Sequence, residues 1–243
     1  MTDLDLCYLP ATDAIKRFKA KTLSPVELLD ALIRRAEEVE PVINAFTYRH
    51  FDEAMDKAKK AEAKYASGKR TRALEGLPIG IKDENFIKGK PTSSGSLIMK
   101  DFVADRTSVG NERIMRAGGI VHARTATPEF SSAAYTNSRL WGVTHNPWNP
   151  EFTPGGSSGG SAASLAAGTS ALATGSDIGG SIRIPAGMCG LVGYKPPYGR
   201  NSDDPPFNLD FYCHTGPLAR NVSDAIALQN VMCGPHPKDI ASL

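Results

Sequence analysis

The 243-residue sequence predicts an α/β fold built on a mixed, largely parallel central sheet. Short apolar strand patterns alternate with helical patterns, and glycines mark the turns between them. This alternation is typical of a sheet whose neighbouring strands are connected by helices. The hydrophobic content of 41% and charged content of 22% are those of an ordinary globular protein.

A helical layer is predicted for residues 1–70, ahead of a core over residues 71–243. Residues 24–27 (Ser-Pro-Val-Glu) form a capping box with proline at the first helical position. Apolar side chains then recur at helical spacing until Pro41, which we expect to end the helix. A second helix, with alternating charges, is predicted over residues 51–66 and should expose a solvated face.

The pattern then changes to an apolar strand that ends in a lysine. Residues 77–83 (LPIGIKD) place Lys82 and Asp83 at the strand end. The usual fate of such a lysine is to extend its ammonium to water. A desolvated lysine would instead have a pKa far below ~10.4 and could act as a base. The strand pattern leaves both alternatives open. The remaining predicted elements are a helix over 108–117, a strand over 120–125, a loop over 193–206 and a helix over 222–232.

Residues 153–193 contain two glycine- and serine-rich clusters, at 155–161 and 179–181. Consecutive glycines can direct several N–H groups at one point, which is how anion and oxyanion sites are made. A flexible linker is disfavoured because the intervening residues 162–172 are apolar and helix-forming in composition. The clusters are therefore predicted to carry chemistry.

Two other functions of the clusters are excluded by their neighbours. A phosphate-binding loop needs a lysine after its last glycine, where this chain has Ser161 and Ser181. A nucleophile elbow would fit the G-x-S-x-G pattern at residues 155–159, but it needs a preceding apolar strand. The preceding segment is instead rich in proline and asparagine.

Composition and charge limit the kinds of partner that the protein is expected to bind. A net charge of +2 gives no electrostatic case for nucleic acid or an anionic membrane, and no apolar run approaches the ~20 residues that span a bilayer. Four cysteines without CxxC spacing fit reduced thiols in a cytoplasmic enzyme, and disulfides remain the alternative. The five histidines show no metal-ligand spacing, so no metal is expected. No cofactor is expected either.

Three blocks together resemble the amidase signature family of serine hydrolases. They are residues 80–83 (GIKD), 154–163 (PGGSSGGSAA) and 175–186 (GSDIGGSIRIPA), with Ser157 and Ser181 24 residues apart. The likeness extends from about residue 4 to the end of the chain. It implies a sheet covered by helices on both faces, of which this chain covers about the N-terminal half.

The resemblance implies a Ser-Ser-Lys triad. Ser181 matches the nucleophile, and Ser157 rather than Ser158 matches the bridging serine, which the family holds after a cis peptide bond. Lys82 matches the base, which must be neutral to take a proton from Ser181 through Ser157. The backbone N–H groups expected to form the oxyanion hole are those of Ile178, Gly179, Gly180 and Ser181.

Three further residues receive expected positions from the same resemblance. Asp177 and Arg183 are expected to brace the loop that carries the nucleophile, without acting as catalysts. Asp83 is expected to face backbone donors, because a carboxylate close to Lys82 would raise the lysine's pKa.

The resulting hypothesis is an amide hydrolase that cleaves carboxylic amide C–N bonds through a seryl acyl-enzyme. Esters or carbamates could share that route. The alternative is the A subunit of a tRNA-dependent amidotransferase, although Ile184 stands where those subunits typically carry Gln. A catalytically inactive binding module is a third alternative.

The expected partner is a small-molecule amide, with no nucleic acid and no membrane. Family members run to about twice this length, so we expect a second chain or fragment to supply the C-terminal half of the fold. A homo-oligomer is a further alternative.

Overall fold

The structure is a computed structural model that describes residues 1–205 and 207–243; Pro206, in the predicted loop over 193–206, lies outside the described residues. The helices are α1 Asp3–Cys7, α2 Ala11–Ala20, α3 Pro25–Ile43, α4 Phe51–Ala66, α5 Val109–Arg116, α6 Gly159–Ala166, α7 Arg183–Cys189 and α8 Val222–Met232. The strands are β1 Phe46–Arg49, β2 Pro78–Lys82, β3 Ile120–Thr125, β4 Asn137–Ser138, β5 Gly142–Val143, β6 Leu172–Asp177, β7 Val192–Gly193 and β8 His214–Ala219.

The central sheet has the strand order β1-β3-β2-β6-β8-β7. The three adjacent strands β3, β2 and β6 are mutually parallel, whereas β1 pairs antiparallel with β3 and β8 pairs antiparallel with both β6 and β7. The predicted mixed sheet with a parallel core is therefore confirmed. The carboxyl ends of β2 and β6 meet at one edge, and this edge carries the predicted site residues.

Helices cover both faces of this sheet. Leu172 of β6 and Ala219 of β8 are buried in the core that includes α1, α2, α3 and α8. Their chain neighbours Ala173 and Leu218 point the other way and pack against α6 and α7. Successive strand residues alternate between the two faces, so both layers are held by the same strands. No helix in the described residues is long and apolar enough to cross a membrane.

The end predicted for α3 is wrong. The helix continues through Pro41 to Ile43 and ends at Asn44, whose φ of +48° is left-handed. The missing N–H of Pro41 leaves one helical hydrogen bond unmade, and only two helical residues follow it. The extra residues are stabilised by packing, since Ile43 belongs to a buried cluster with Phe46 and Ala163.

Four of the six strands in the central sheet were not predicted, and the two-residue strand β7 is one of them. Residues 1–70 are not helical throughout, because β1 lies between α3 and α4 and joins the sheet edge. The apolar run over 162–172 is not one helix, because α6 ends at Ala166 and Leu172 begins β6. β8 was also missed, although it is buried along its whole length. The predicted helices over 51–66 and 222–232 and the strand over 120–125 are confirmed.

Candidate active site

Lys82 is the last residue of β2 and is fully buried, with a side chain that is 0% exposed. Its strand lies between β3 and β6, so neighbouring strands enclose it on both sides. The Arg124 guanidinium from β3 donates to the Lys82 carbonyl at 3.2 Å, and the Lys82 N–H donates to the Thr174 hydroxyl at 3.3 Å. The ammonium therefore does not extend to water, and the desolvated alternative is the one observed.

Three oxygens surround the Lys82 amine. Nζ lies 2.6 Å from the Ser157 hydroxyl, 2.8 Å from the Ser176 hydroxyl and 3.3 Å from Oε1 of Glu84. Burial lowers the pKa of Lys82, and the Glu84 carboxylate acts against that shift. Neither Ser176 nor Glu84 was predicted from the sequence, although Ser176 lies in one of the matching motifs and Glu84 follows another directly.

Ser157 lies at the turn that leads into α6, and the Gly156–Ser157 peptide bond is cis, as the resemblance implied. The neighbouring Ser158 is buried but oriented differently. Its hydroxyl donates to the Ser176 carbonyl at 3.3 Å, and its N–H donates to the Ser181 carbonyl at 3.1 Å. Ser157 is thus the serine of this pair that contacts the lysine, while Ser158 links the two glycine-rich segments.

A close backbone approach explains one glycine of the first cluster. A Cβ on Gly160 would lie 2.2 Å from the Ala126 nitrogen, next to the end of β3. Any side chain there would push α6 away from the sheet. The glycine therefore allows the start of α6 to lie against the strand ends that carry the site.

Asp177, at the end of β6, organises the loop that carries Ser181. Its carboxylate accepts from the Gly180 N–H at 2.7 Å and from the Ile182 N–H at 3.2 Å. The Arg183 guanidinium donates to both carboxylate oxygens at 2.9 Å. Burial alone would raise the pKa of Asp177, but Arg183 and these N–H groups outweigh it and hold the pKa well below its usual range.

Lys195 adds a second brace that sequence reasoning missed. Its Nζ donates to the Ile178 carbonyl at 3.0 Å and lies 3.4 Å from Asp177. Gly180 has a φ of +125°, and a Cβ there would meet the Ile184 side chain at 2.7 Å. The loop is therefore fixed by one carboxylate, two cations and a glycine-only conformation.

This bracing changes the expected set of oxyanion donors. Because the Gly180 N–H donates to Asp177, it is not directed at the cavity, contrary to the prediction. The N–H groups of Ile178, Gly179 and Ser181 donate to no acceptor within the part of the chain that the structure describes. Ile178 and Gly179 are exposed and Ser181 is half-buried, and both Ile178 and Ser181 line one cavity.

Ser157 and Ser181 line the same cavity, which has a volume of about 200 Å³. Their hydroxyls are not hydrogen bonded to each other within the described chain. Catalytic hydrogen bonds commonly tighten only when substrate binds. The other lining residues include Glu84, Phe86, Arg106, Phe130, Ser131, Ser176, Ile178, Asp203, Asp204, Phe207 and Cys213.

Asp83 faces away from the amine, as expected. It accepts from the Ser93 N–H at 3.1 Å and from the Ser93 hydroxyl, and it lies 3.6 Å from the Arg124 guanidinium. Burial raises the pKa of Asp83 to about 6, with Arg124 acting against that shift. Among residues 1–205 and 207–243, no three His, Cys, Asp or Glu side chains are grouped so that they could hold a metal ion.

These contacts form an arrangement suited to nucleophilic catalysis. A buried amine contacts Ser157, and Ser181 lines the same cavity as Ser157. Backbone N–H groups beside Ser181 have no acceptor within the described residues. A family model described as Amidase matches residues 27–243. The chain belongs to the amidase signature family.

Curated relatives in the family include A subunits of an amidotransferase. The chain is 41% identical over 227 residues to the A subunit of the glutamyl-tRNA(Gln) amidotransferase of Gloeothece citriformis, with 92% of this chain and 46% of the relative covered. It is 39% identical over 243 residues to the same subunit of Carboxydothermus hydrogenoformans, with 98% and 50% covered. The chain thus spans about half the length of the curated relatives it matches.

Solved structures of amidase signature enzymes share the fold closely. A bacterial aryl acylamidase of the family superposes with a TM-score of 0.92 at 33% identity, covering 97% of this chain and 50% of that one. The 6-aminohexanoate cyclic dimer hydrolase, solved with its substrate, superposes with a TM-score of 0.88 at 34% identity, covering 96% and 48%. These solved structures are of an acylamidase and a hydrolase, whereas the curated relatives above belong to an amidotransferase.

Proposed function

We propose that the protein hydrolyses carboxylic amides through an acyl-enzyme on Ser181, with Lys82 as the base and Ser157 as the proton relay. The observation that carries this proposal is the fully buried Lys82 amine, which lies 2.6 Å from the Ser157 hydroxyl, while Ser157 lines the same cavity as Ser181. Burial favours the neutral amine, which is the form that can accept a proton.

The proposed reaction begins with proton transfer. Neutral Lys82 takes the Ser157 proton while the Ser157 oxygen takes the Ser181 proton, and Oγ of Ser181 attacks the amide carbonyl carbon. The carbonyl oxygen becomes negatively charged and accepts from the N–H groups of Ile178, Gly179 and Ser181. Loss of one such donor typically costs ~2.7–4 kcal/mol of transition-state stabilisation.

Collapse of the tetrahedral intermediate breaks the C–N bond. The leaving amine takes the Ser157 proton, and Lys82 returns its own proton to Ser157, so the relay is restored. A water molecule then attacks the Ser181 ester by the same proton path and releases the carboxylic acid. Esters and carbamates fit this acyl-transfer route equally well.

The second candidate is the A subunit of a tRNA-dependent amidotransferase, because the curated relatives carry that name. Ile184 is the feature against it. Its half-buried aliphatic side chain packs on Gly180, where the resemblance places a glutamine in those subunits. An aliphatic side chain beside the nucleophile loop offers no hydrogen bond to a glutamine substrate, which favours hydrolysis of other amides.

The test is hydrolysis of a panel of aryl and aliphatic amides by the purified protein without tRNA or ATP. The proposal expects turnover, and it expects Ser181→Ala to reduce turnover by several orders of magnitude with the fold intact, because no acyl-enzyme can form. The matched control Ser158→Ala should lose far less. Equal residual activity in the two variants would contradict the assignment of Ser181, and absence of fluorophosphonate labelling would favour an inactive binding module.

A further inference from the structure

The Lys82 amine has three oxygen neighbours, and an ammonium has three N–H donors. The protonated form can therefore donate to Ser157, Ser176 and Glu84 at once. The neutral amine has only two N–H groups and uses its lone pair to accept from Ser157. Glu84 thus makes its strongest contact with the state that Lys82 reaches after it has taken a proton.

The Glu84 carboxylate is held in place for this contact. Its side chain is only 14% exposed, and the Ser131 hydroxyl donates to its second oxygen. Burial raises the pKa of Glu84, but the Lys82 ammonium and the hydroxyls of Ser131 and Ser176 outweigh it, so the net shift is downward. Electrostatic interaction between the two groups is strong because both are removed from water.

Other charged and titratable groups lie farther from the amine. They are Asp177 at the end of β6, Cys213 before β8, Asp83 directly after β2, Arg124 on β3, and Asp203, which lines the same cavity as Glu84. Asp83 and Asp177 each form an ion pair with an arginine. Glu84 is the carboxylate in contact with Nζ among the described residues.

We propose that Glu84 is a positioning residue that stabilises the Lys82 ammonium formed during catalysis and sets the pH at which Lys82 becomes neutral. The inference rests on the proposed function of Lys82. Charge that develops beside a fixed opposite charge is stabilised without reorganisation. The same carboxylate raises the pKa of the amine, so the amine is a stronger base and loses its proton only at a higher pH.

Glu84→Gln separates these effects from a structural role, because the amide keeps the shape and the acceptor oxygen but removes the charge. An opposite charge at this distance shifts a pKa by about 1–3 units. We therefore expect the acid limb of the pH profile to move down by about 1–3 units. The plateau rate should fall as well, because the weaker base is a poorer proton acceptor. A structural role would lower the plateau and leave the limb in place.

The experiment follows the rate at which a fluorophosphonate labels the intact protein between pH 5 and 10, which needs no knowledge of the natural amide. Asp203→Asn is the matched control, since it removes a carboxylate of the same cavity that does not contact Nζ, and its limb should move much less. Glu84→Asp keeps the charge but shortens its reach, and its limb should move down by less than that of Glu84→Gln.

The outcomes separate the two proposals. An acid limb that stays at the wild-type pH in a folded Glu84→Gln variant overturns the inference. If that variant does not fold, a Glu84→Asp limb at the wild-type pH overturns it equally. Failure of the wild-type protein to label at all would instead contradict the proposed function of Ser181.

Discussion

At the scale of single residues, the chemistry depends on whether Lys82 can be neutral while it is buried beside a carboxylate. Desolvation favours the neutral amine, and Glu84 favours the ammonium. The net direction is a pKa below the ordinary lysine value, so desolvation is the larger effect. A base of this kind works by cycling between the two forms within a water-poor site.

Lys82→Arg tests that requirement. A guanidinium stays protonated at all accessible pH values and cannot accept a proton from Ser157. We expect kcat/KM to fall by about 10²–10⁴, the usual contribution of a general base. In the wild type, kcat/KM should rise with pH along an acid limb that reports the lowered lysine pKa. An Arg variant with near wild-type activity would rule out the base role.

Sequence motifs predicted most of the residues that the structure brings together. Ser157 and Ser181 line one cavity, Lys82 contacts Ser157, and Arg183 donates to Asp177 at the start of the loop that carries Ser181. The individual contacts could not be predicted, because they depend on how strand ends are placed relative to each other. Glu84 follows a matching motif, but its contacts with the Lys82 amine and the Ser131 hydroxyl are set by the folded chain. The Gly180 N–H likewise donates to Asp177 because of the geometry of the turn.

At the scale of secondary structure, local signals were reliable for helices and weak for strands. The capping box at the start of α3 and the charge pattern of α4 each depend on residues that are only a few positions apart in the sequence. β6 (LATGSD) and β8 (HTGPLA) contain glycine and β8 contains proline, so neither has an ordinary strand composition. They are strands because small side chains fit between two helical layers, which is a property of the assembled fold.

The end of α3 gives a prediction about stability. Glu40 is 3% exposed, and its Oε2 accepts from the N–H groups of Ala45 and Phe46 at 3.0 and 2.9 Å, which joins the helix to β1. Burial raises the pKa of Glu40 from 4.5 to about 7. The folded state therefore binds a proton that the unfolded state has released. The stability contributed by this group is present below pH 4.5 and is lost as pH rises through 7.

Glu40→Gln should remove that dependence. Between pH 5 and pH 8 the free energy of unfolding of the wild type should fall by up to about 3 kcal/mol more than that of the variant. Urea denaturation at both pH values measures the difference. Glu38→Gln, which alters an exposed carboxylate of the same helix, is the control and should behave like the wild type. Parallel pH profiles for the wild type and Glu40→Gln would contradict the assignment.

At the scale of the whole molecule, several apolar side chains that line the cavity are largely exposed to solvent. Phe130, Ile178 and Phe207 line the cavity and are each more than half exposed. Leu209, Phe211 and Tyr212 follow Phe207 closely in the chain and are 63% or more exposed. Contiguous apolar surfaces of this kind usually mark an interaction site or a liability to aggregation. The chain also spans about half the length of the relatives it matches.

We therefore propose that polypeptide outside these 243 residues covers this surface and supplies part of the acyl- and amine-binding pocket. A second chain, a fragment of the same product or a tightly bound partner could each bury the apolar side chains around the cavity. The test is intact and native mass spectrometry of the purified active protein. We expect either a 25.9 kDa chain bound to a second polypeptide or a single longer chain that includes these residues. A single active species at that mass, stable in solution without a companion, would show that the exposed aromatic surface needs no cover.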